Sequence, residues 1–266
     1  MKVVILCGGL GTRLREESEY RPKPLVEIGG RPILWHIMKL YAHHGFRDFT
    51  LCLGYKGNMI KEYFLNYEAM NNNFTISLGK ESSLAYKGIH EEQDFKVTLM
   101  DTGMDSLTGS RIKRIEKEID EDTFMVTYGD GVSNVNIEKL LAFHRAHGRI
   151  ATVTSVHPVS RFGLMDIDAE NSVREFAEKP LSDGWANAGF FVFQKEIFQY
   201  LDENPHCILE DTPLKKLAAD GQLMAYQHDG FFYAMDTYRE YLHLNELWNS
   251  NKAEWAVWKK EFQHTL

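Results

Sequence analysis

The sequence predicts an α/β protein built on a mixed, mostly parallel sheet flanked by helices, and three observations point there. Short apolar runs alternate with stretches of helical periodicity through the first two thirds of the chain. The first run, Val3-Val4-Ile5-Leu6-Cys7, breaks into the glycine loop Gly8-Gly9-Leu10-Gly11-Thr12-Arg13-Leu14. A later one, Phe124 to Tyr128, ends at Gly129-Asp130-Gly131. Apolar runs without polar alternation mark strands buried on both faces, as in parallel sheets covered by helices.

The elements follow in order. Ile33 to His44 places apolar residues at helical spacing (Ile33, Leu34, Ile37, Leu40, Tyr41) and stops at Gly45. Phe49 to Leu53 is a second strand, and Gly54-Tyr55-Lys56-Gly57 turns into a helix through Tyr63 to Tyr67. Between Asn71 and Glu118 the pattern changes to strands alternating with polar turns, which predicts a small β excursion from the main sheet. Ile137 to His147 reads as an amphipathic helix, Ile150 to His157 as a strand, Phe162 to Phe176 as a hairpin and Gly189 to Phe193 as another apolar run. From Met224 come a strand, the segment Gly230 to Asp236, and a final helical segment containing Trp248, Trp255 and Trp258, which core packing explains more simply than a subunit contact. Repeats and linkers are absent from the sequence, so a single domain over 1–266 is expected, with a core of 1–240 and a helical segment of 241–266.

Composition narrows the function. The 266 residues are 44% hydrophobic and carry a formal charge of −8, with no basic excess for a nucleic-acid backbone. Cations must be gathered locally if a small anion is bound. Cys7, Cys52 and Cys207 form an odd, widely spaced set expected to be reduced, and with no apolar stretch near the roughly 18 to 20 residues of a membrane span, and no signal-peptide pattern, a cytoplasmic protein without a membrane partner is expected.

The glycine loop is suited to wrap oligophosphate, because glycine adopts φ > 0 and lets backbone N–H groups approach a ligand. It matches neither G-x-x-x-x-G-K-[ST] nor G-x-G-x-x-G, so other groups must complete a phosphate site. Lys23 is one, expected in extended backbone between Pro22 and Pro24. Asp130 is another, at the carboxyl end of a strand, where open α/β sheets place ligands. An Asx-turn is the plainer role for it, and Asp236, after the apolar segment Phe231 to Met235, poses the same choice. If the two converge, they offer the hard oxygens that Mg²⁺ takes together with phosphates. His144 and His147 are spaced for a metal but lack a third ligand, and His43-His44 suit a helix carboxyl end.

Taken in order, GGLGTRL, RPKPL, YGDG, EKP, NAGFFVF and GFFYAMD resemble the sugar-1-phosphate nucleotidyltransferases over positions 1 to about 240. Within that family the likeness is greatest to the branch that joins CTP and glucose 1-phosphate, carried by Val26 to His36, Gly54 to Gly57, Asp101-Thr102-Gly103, Thr108-Gly109 with Arg111, and Thr127 to Gly131. The resemblance implies a Rossmann-like nucleotide-diphospho-sugar transferase fold and an in-line attack of a sugar phosphate on the α-phosphorus of a nucleoside triphosphate. It implies that Leu6, Cys7, Gly8, Gly9, Leu10, Gly11, Thr12 and Arg13 hold the triphosphate, that Lys23 reaches the α-phosphate, and that Ser106, Thr108, Gly109, Arg111 and Gly129 surround the nucleotide. Tyr128, Gly163, Glu178, Lys179 and Asn187 would meet the sugar phosphate, and Asp130 and Asp236 would hold Mg²⁺. Arg13, Lys23 and Asp130 are the expected catalytic residues.

Cys7 stands where the family usually has alanine, and Ser110 where it has a second glycine. Residues 71–95 show little likeness. Family members are commonly oligomers, so a homo-oligomer is expected, with 71–95 and the tryptophan segment as candidate contacts. UTP or dTTP, another sugar 1-phosphate, or a nucleotide-sugar-binding regulatory protein are the competing readings.

Overall fold

The computed structural model describes residues 1–79, 83–158, 164–169, 171–177 and 184–259. Its main sheet contains β1 (Lys2–Cys7), β2 (Asp48–Leu53), β3 (Lys96–Asp101), β4 (Thr123–Tyr128), β5 (Ala151–Val156), β6 (Ala186–Asn187), β7 (Phe191–Gln194) and β8 (Leu223–Gln227). The order is β6-β5-β7-β4-β1-β2-β3, with β8 added to β5. β4, β1, β2 and β3 run parallel, β7 lies antiparallel between β4 and β5, and β8 is parallel to β5. Helices α1 (Ile33–His43), α2 (Gly57–Leu65), α3 (Thr108–Lys113), α4 (Ile137–His147), α5 (Thr212–Ala219) and α6 (Tyr238–Asn249) accompany it. The mixed α/β sheet expected from the sequence is the one found.

β1 shows why an unbroken apolar run folds this way. Side chains alternate across a strand, so Val3, Ile5 and Cys7 enter one core with Ile33, Ile37 and Tyr41 of α1, while Val4 and Leu6 enter the other with Ile112, Phe193 and Leu217. Fully burying each Val, Ile or Leu contributes about 2 kcal/mol relative to exposure. A charge at Val4 or Ile5 would forfeit that and leave an unpaired ion in a closed core.

Local signals set the ends of the helices. α4 starts at Asn136, whose Oδ1 accepts the Lys139 amide at 2.9 Å, and stops at Gly148 with φ of 62°. α6 starts with a capping box in which Thr237 and Glu240 satisfy one another's amides.

Three expectations change. Lys96–Asp101 belongs to the main sheet as the strand beside β2, so the excursion shrinks to the hairpin Asn73–Ser77 and Ser83–Lys87. Its polar alternation misled because β3 is partly open to solvent. Lys23 lies in a single 3₁₀ turn, Lys23–Leu25, with only the preceding Pro22 extended. The last helix stops at Asn249, and Asn251 turns the chain with φ of 57°, so Trp255 and Trp258 lie beyond it.

Those two tryptophans pack on α1 around His36, whose side chain is fully buried. Its Nε2 faces the Ile28 carbonyl at 2.9 Å, and Nδ1 accepts from Trp255 Nε1 at 3.3 Å, which fixes a neutral tautomer. Burial pushes the His36 pKa down to about 4. Below the ordinary value near 6.5, the unfolded chain takes up a proton that the folded chain refuses. Stability is therefore complete above about pH 6.5 and falls as pH drops toward 4, by up to about 3 kcal/mol from this group. The urea midpoint should decline across that window, and His36→Gln should make the decline shallower, with His144, also pushed down to about 4, supplying part of the rest. An unchanged slope in the variant would place the proton uptake elsewhere.

Candidate active site

The carboxyl ends of β1 and β4 open into a cavity of about 280 Å³. Its walls come from Leu6 to Gly9, Gly11 to Arg13, Lys23-Pro24, Ser106 to Thr108, Arg111, Tyr128 to Asp130, and Asp236. Open α/β sheets bind ligands at this edge, outside the strand ends.

Four charged side chains meet there. Lys23 Nζ donates to Asp130 Oδ2 at 2.6 Å and to Asp236 Oδ1 at 2.7 Å, and Arg13 Nη1 lies 3.2 Å from Asp236 Oδ2. Burial alone would lower the Lys23 pKa, but the two carboxylates outweigh it and raise the value, so the ammonium stays charged. Strand pairing joins the aspartates: Gly131–Ser133 runs antiparallel to Phe232–Ala234, and the Met235 amide donates to the Asp130 carbonyl at 2.9 Å. The amides of Asp236 and Thr237 both donate to Glu240 Oε2 at 2.7 Å, which anchors Asp236 at the start of α6.

The glycine loop is braced from below. Arg111 is 4% exposed, and its Nη1 donates to Leu53 O, Thr102 Oγ1 and Gly103 O at 2.8 to 2.9 Å. Its Nη2 donates to Gly8 O at 3.0 Å and Met104 O at 3.3 Å. A Cβ on Gly8 would lie 2.1 Å from the guanidinium carbon, whereas a Cβ on Gly9 would meet nothing within 4 Å. Gly8 is therefore glycine to admit Arg111, and Gly11, with φ of 64°, is glycine for the turn. At Gly129 a Cβ would come within 2.8 Å of Leu6 O, so glycine there keeps β1 and β4 close.

A second polar group lies on the wall beside α3. Thr108 Oγ1 donates to Glu210 Oε2 at 2.6 Å and accepts from the Leu209 amide at 2.9 Å. Tyr128 Oη donates to Glu210 Oε1 and accepts from Asn187 Nδ2, the latter at 3.0 Å. The sequence offered no signal for Glu210, an acid in a loop outside every motif, and its place emerges only from Thr108 and Tyr128 meeting on it.

The structure thus brings together Leu6, Cys7, Gly8, Gly9, Gly11, Thr12, Arg13, Lys23, Ser106, Thr108, Arg111, Tyr128, Gly129, Asp130 and Asp236. Two residues expected at the nucleotide do not line the cavity. Leu10 is 57% exposed, and Gly109 packs against Cys207, its amide donating to the Cys207 carbonyl at 3.0 Å. Arg111 reaches the cavity, but its guanidinium is committed to carbonyls. Asn187 meets Tyr128 instead of the charged cluster. Gly163, Glu178 and Lys179 lie outside the described residues.

Known proteins resemble the chain over nearly its whole length. The glucose-1-phosphate cytidylyltransferase of Salmonella typhi is 47% identical over 262 residues, covering 97% of this chain and all of its own. A Bacillus subtilis (strain 168) protein named probable glucose-1-phosphate cytidylyltransferase is 45% identical, covering 97% of this chain and all of its own. The solved structure of HddC from Yersinia pseudotuberculosis superposes with a TM-score of 0.68 at 25% identity, covering 93% of this chain and 99% of that one. Residues 2–249, which supply every described wall of the cavity, match the nucleotidyl transferase family model, and the chain belongs to that family.

Proposed function

We propose that the protein transfers a cytidylyl group from CTP to glucose 1-phosphate, giving CDP-glucose and pyrophosphate. Relatives named for that reaction align over their whole length, and the observation that carries the chemistry is the convergence of Arg13, Lys23, Asp130 and Asp236 at one cavity. An oxygen of the sugar phosphate forms a bond to the α-phosphorus while the bond from that phosphorus to the departing pyrophosphate breaks. The attacking oxygen is already anionic at neutral pH, so no general base is required. Alignment and charge neutralisation carry the rate.

Lys23 and Arg13 are the cations for the triphosphate, and the loop amides of Gly8, Gly9, Gly11 and Thr12 hold its outer oxygens. Lys23 suits the α-phosphate because it lines the cavity and the neighbouring carboxylates raise its pKa, which keeps its ammonium charged.

The residues present also fit Mg²⁺. Asp130 and Asp236 aim oxygens at one point, now marked by the Lys23 ammonium, and two carboxylates with substrate phosphates are a usual Mg²⁺ shell. By charge count the two aspartates cancel Lys23 and Arg13, so a triphosphate needs further positive charge at this place. Bound there, Mg²⁺ would neutralise the reacting phosphates.

A cytoplasmic location fits the free thiols of Cys7, Cys52 and Cys207. A homo-oligomer fits the hairpin of residues 73–77 and 83–87, whose strands are exposed throughout and carry Phe74, Ile76, Leu84 and Tyr86. A lone two-stranded ribbon is marginal in water, and a second copy covering its apolar side chains would stabilise it.

Pyrophosphate release from four nucleoside triphosphates against several sugar 1-phosphates should be fastest with CTP and glucose 1-phosphate. No release from any pair would favour a binding protein. Asp130→Asn should lower turnover by about a hundredfold or more with an unchanged urea midpoint; near-normal rates at saturating Mg²⁺ would remove the metal assignment. In light scattering, Ile76→Asp with Leu84→Asp should yield a smaller particle than the parent. Equal masses would exclude the hairpin as a contact.

A further inference from the structure

Resting on the nucleotidyl-transfer reading, the polar group around Glu210 bears on which base the cavity takes. A hydroxyl has one proton and two lone pairs. Thr108 spends its proton on Glu210 and one lone pair on the Leu209 amide, and Tyr128 spends its proton on Glu210 and one lone pair on Asn187. Each keeps one lone pair and nothing to donate. Both residues line the cavity, so the hydroxyls of Thr108 and Tyr128 can only accept hydrogen bonds there.

The charges decide which part of a nucleotide meets it. The cations not spent on backbone carbonyls, Arg13 and Lys23, gather with Asp130 and Asp236, and phosphates belong there. Arg111, beside Ser106 to Thr108, already spends both Nη groups on four carbonyls and the Thr102 hydroxyl. The neutral part of the nucleotide is left to the Thr108 wall. Ser106, 4% exposed and with no hydrogen-bond partner for its Oγ among the described residues, can turn its proton either way and so does not discriminate.

We propose that Glu210 is the positioning residue that sets base choice: by holding the Thr108 and Tyr128 protons it leaves an acceptor wall that favours the cytosine amino group over the 4-carbonyl of uracil. A site whose buried polar group faces the wrong partner rejects a ligand more strongly than one that merely lacks a contact. Replacing the carboxylate by an amide tests this directly. A glutamine can donate to Thr108 Oγ1, which frees the hydroxyl proton to face the cavity and accommodates a carbonyl.

The experiment is calorimetric binding of CTP and of UTP, with Mg²⁺ and without sugar phosphate, to the parent protein, Glu210→Gln, Thr108→Val and Thr108→Ser. The parent should prefer CTP; Glu210→Gln and Thr108→Val should each reduce the ratio of the two Kd values about tenfold, and Thr108→Ser should preserve it. A merely structural Glu210 would weaken both nucleotides equally and leave the ratio unchanged, which overturns the inference while the reading of the site stands. A parent protein that binds UTP as tightly as CTP, or neither, overturns the reading itself. If Glu210→Gln does not fold, the Thr108 pair decides alone.

Discussion

The buried guanidinium of Arg111 is the interaction on which the site depends. It collects carbonyls from the ends of β1 and β2 and from the turn after β3, and so ties three parallel strands together at the edge where the cavity opens. Among the described residues no carboxylate forms an ion pair with it. A buried ion is tolerated only when its donors are satisfied, and here carbonyl dipoles and the Thr102 hydroxyl do that, each such bond being worth about 1.5 to 3 kcal/mol. Burial pulls its pKa below the ordinary value, yet a guanidinium stays protonated under any condition in which the fold exists. Lysine, with a single point charge, cannot reach the same set of carbonyls.

This bracing changes the meaning of the glycines. From the sequence, the loop glycines are read as room for a ligand's phosphates. In the structure Gly8 and Gly54 leave room for Arg111, since a Cβ on Gly54 would lie 2.5 Å from its nitrogens. Gly9 alone faces open space and fits the first reading. A single residue type thus serves three purposes in neighbouring positions, and only packing tells them apart.

The main strands were legible because burial on both faces demands mostly apolar runs, and β1, β2 and β4 have them, with the buried Thr50 and Thr127 as the polar interruptions of β2 and β4. β3 was not, because a strand partly open to solvent carries polar residues that look like an excursion. The charged cluster was legible residue by residue: Lys23 beside prolines, Asp130 between glycines, Asp236 before a helix. Glu210 and the true task of Arg111 were hidden, since Glu210 meets Tyr128 and Thr108 82 and 102 residues away, and Arg111 ties in Gly8 and Leu53 103 and 58 residues away.

What no local signal contains is the convergence itself. Positions 23, 130 and 236 are each fixed by a separate device: a 3₁₀ turn that Pro22 leads into, a strand end with no Cβ at Gly129, and a capping box at Thr237 and Glu240. These devices determine where each chain segment points but not that they point together. The short ladder between residues 131–133 and 232–234 does that, bringing the Met235 amide onto the Asp130 carbonyl and carrying Asp236 beside it. Three ladder residues would be a weak constraint in isolation. They suffice here because Val132 is buried on α1's side of the sheet and Met235 is buried with it, so the pairing is clamped by the same core that holds β1. Catalytic alignment in this protein is thereby an outcome of core burial, with the charged groups carried into register by apolar neighbours on either side.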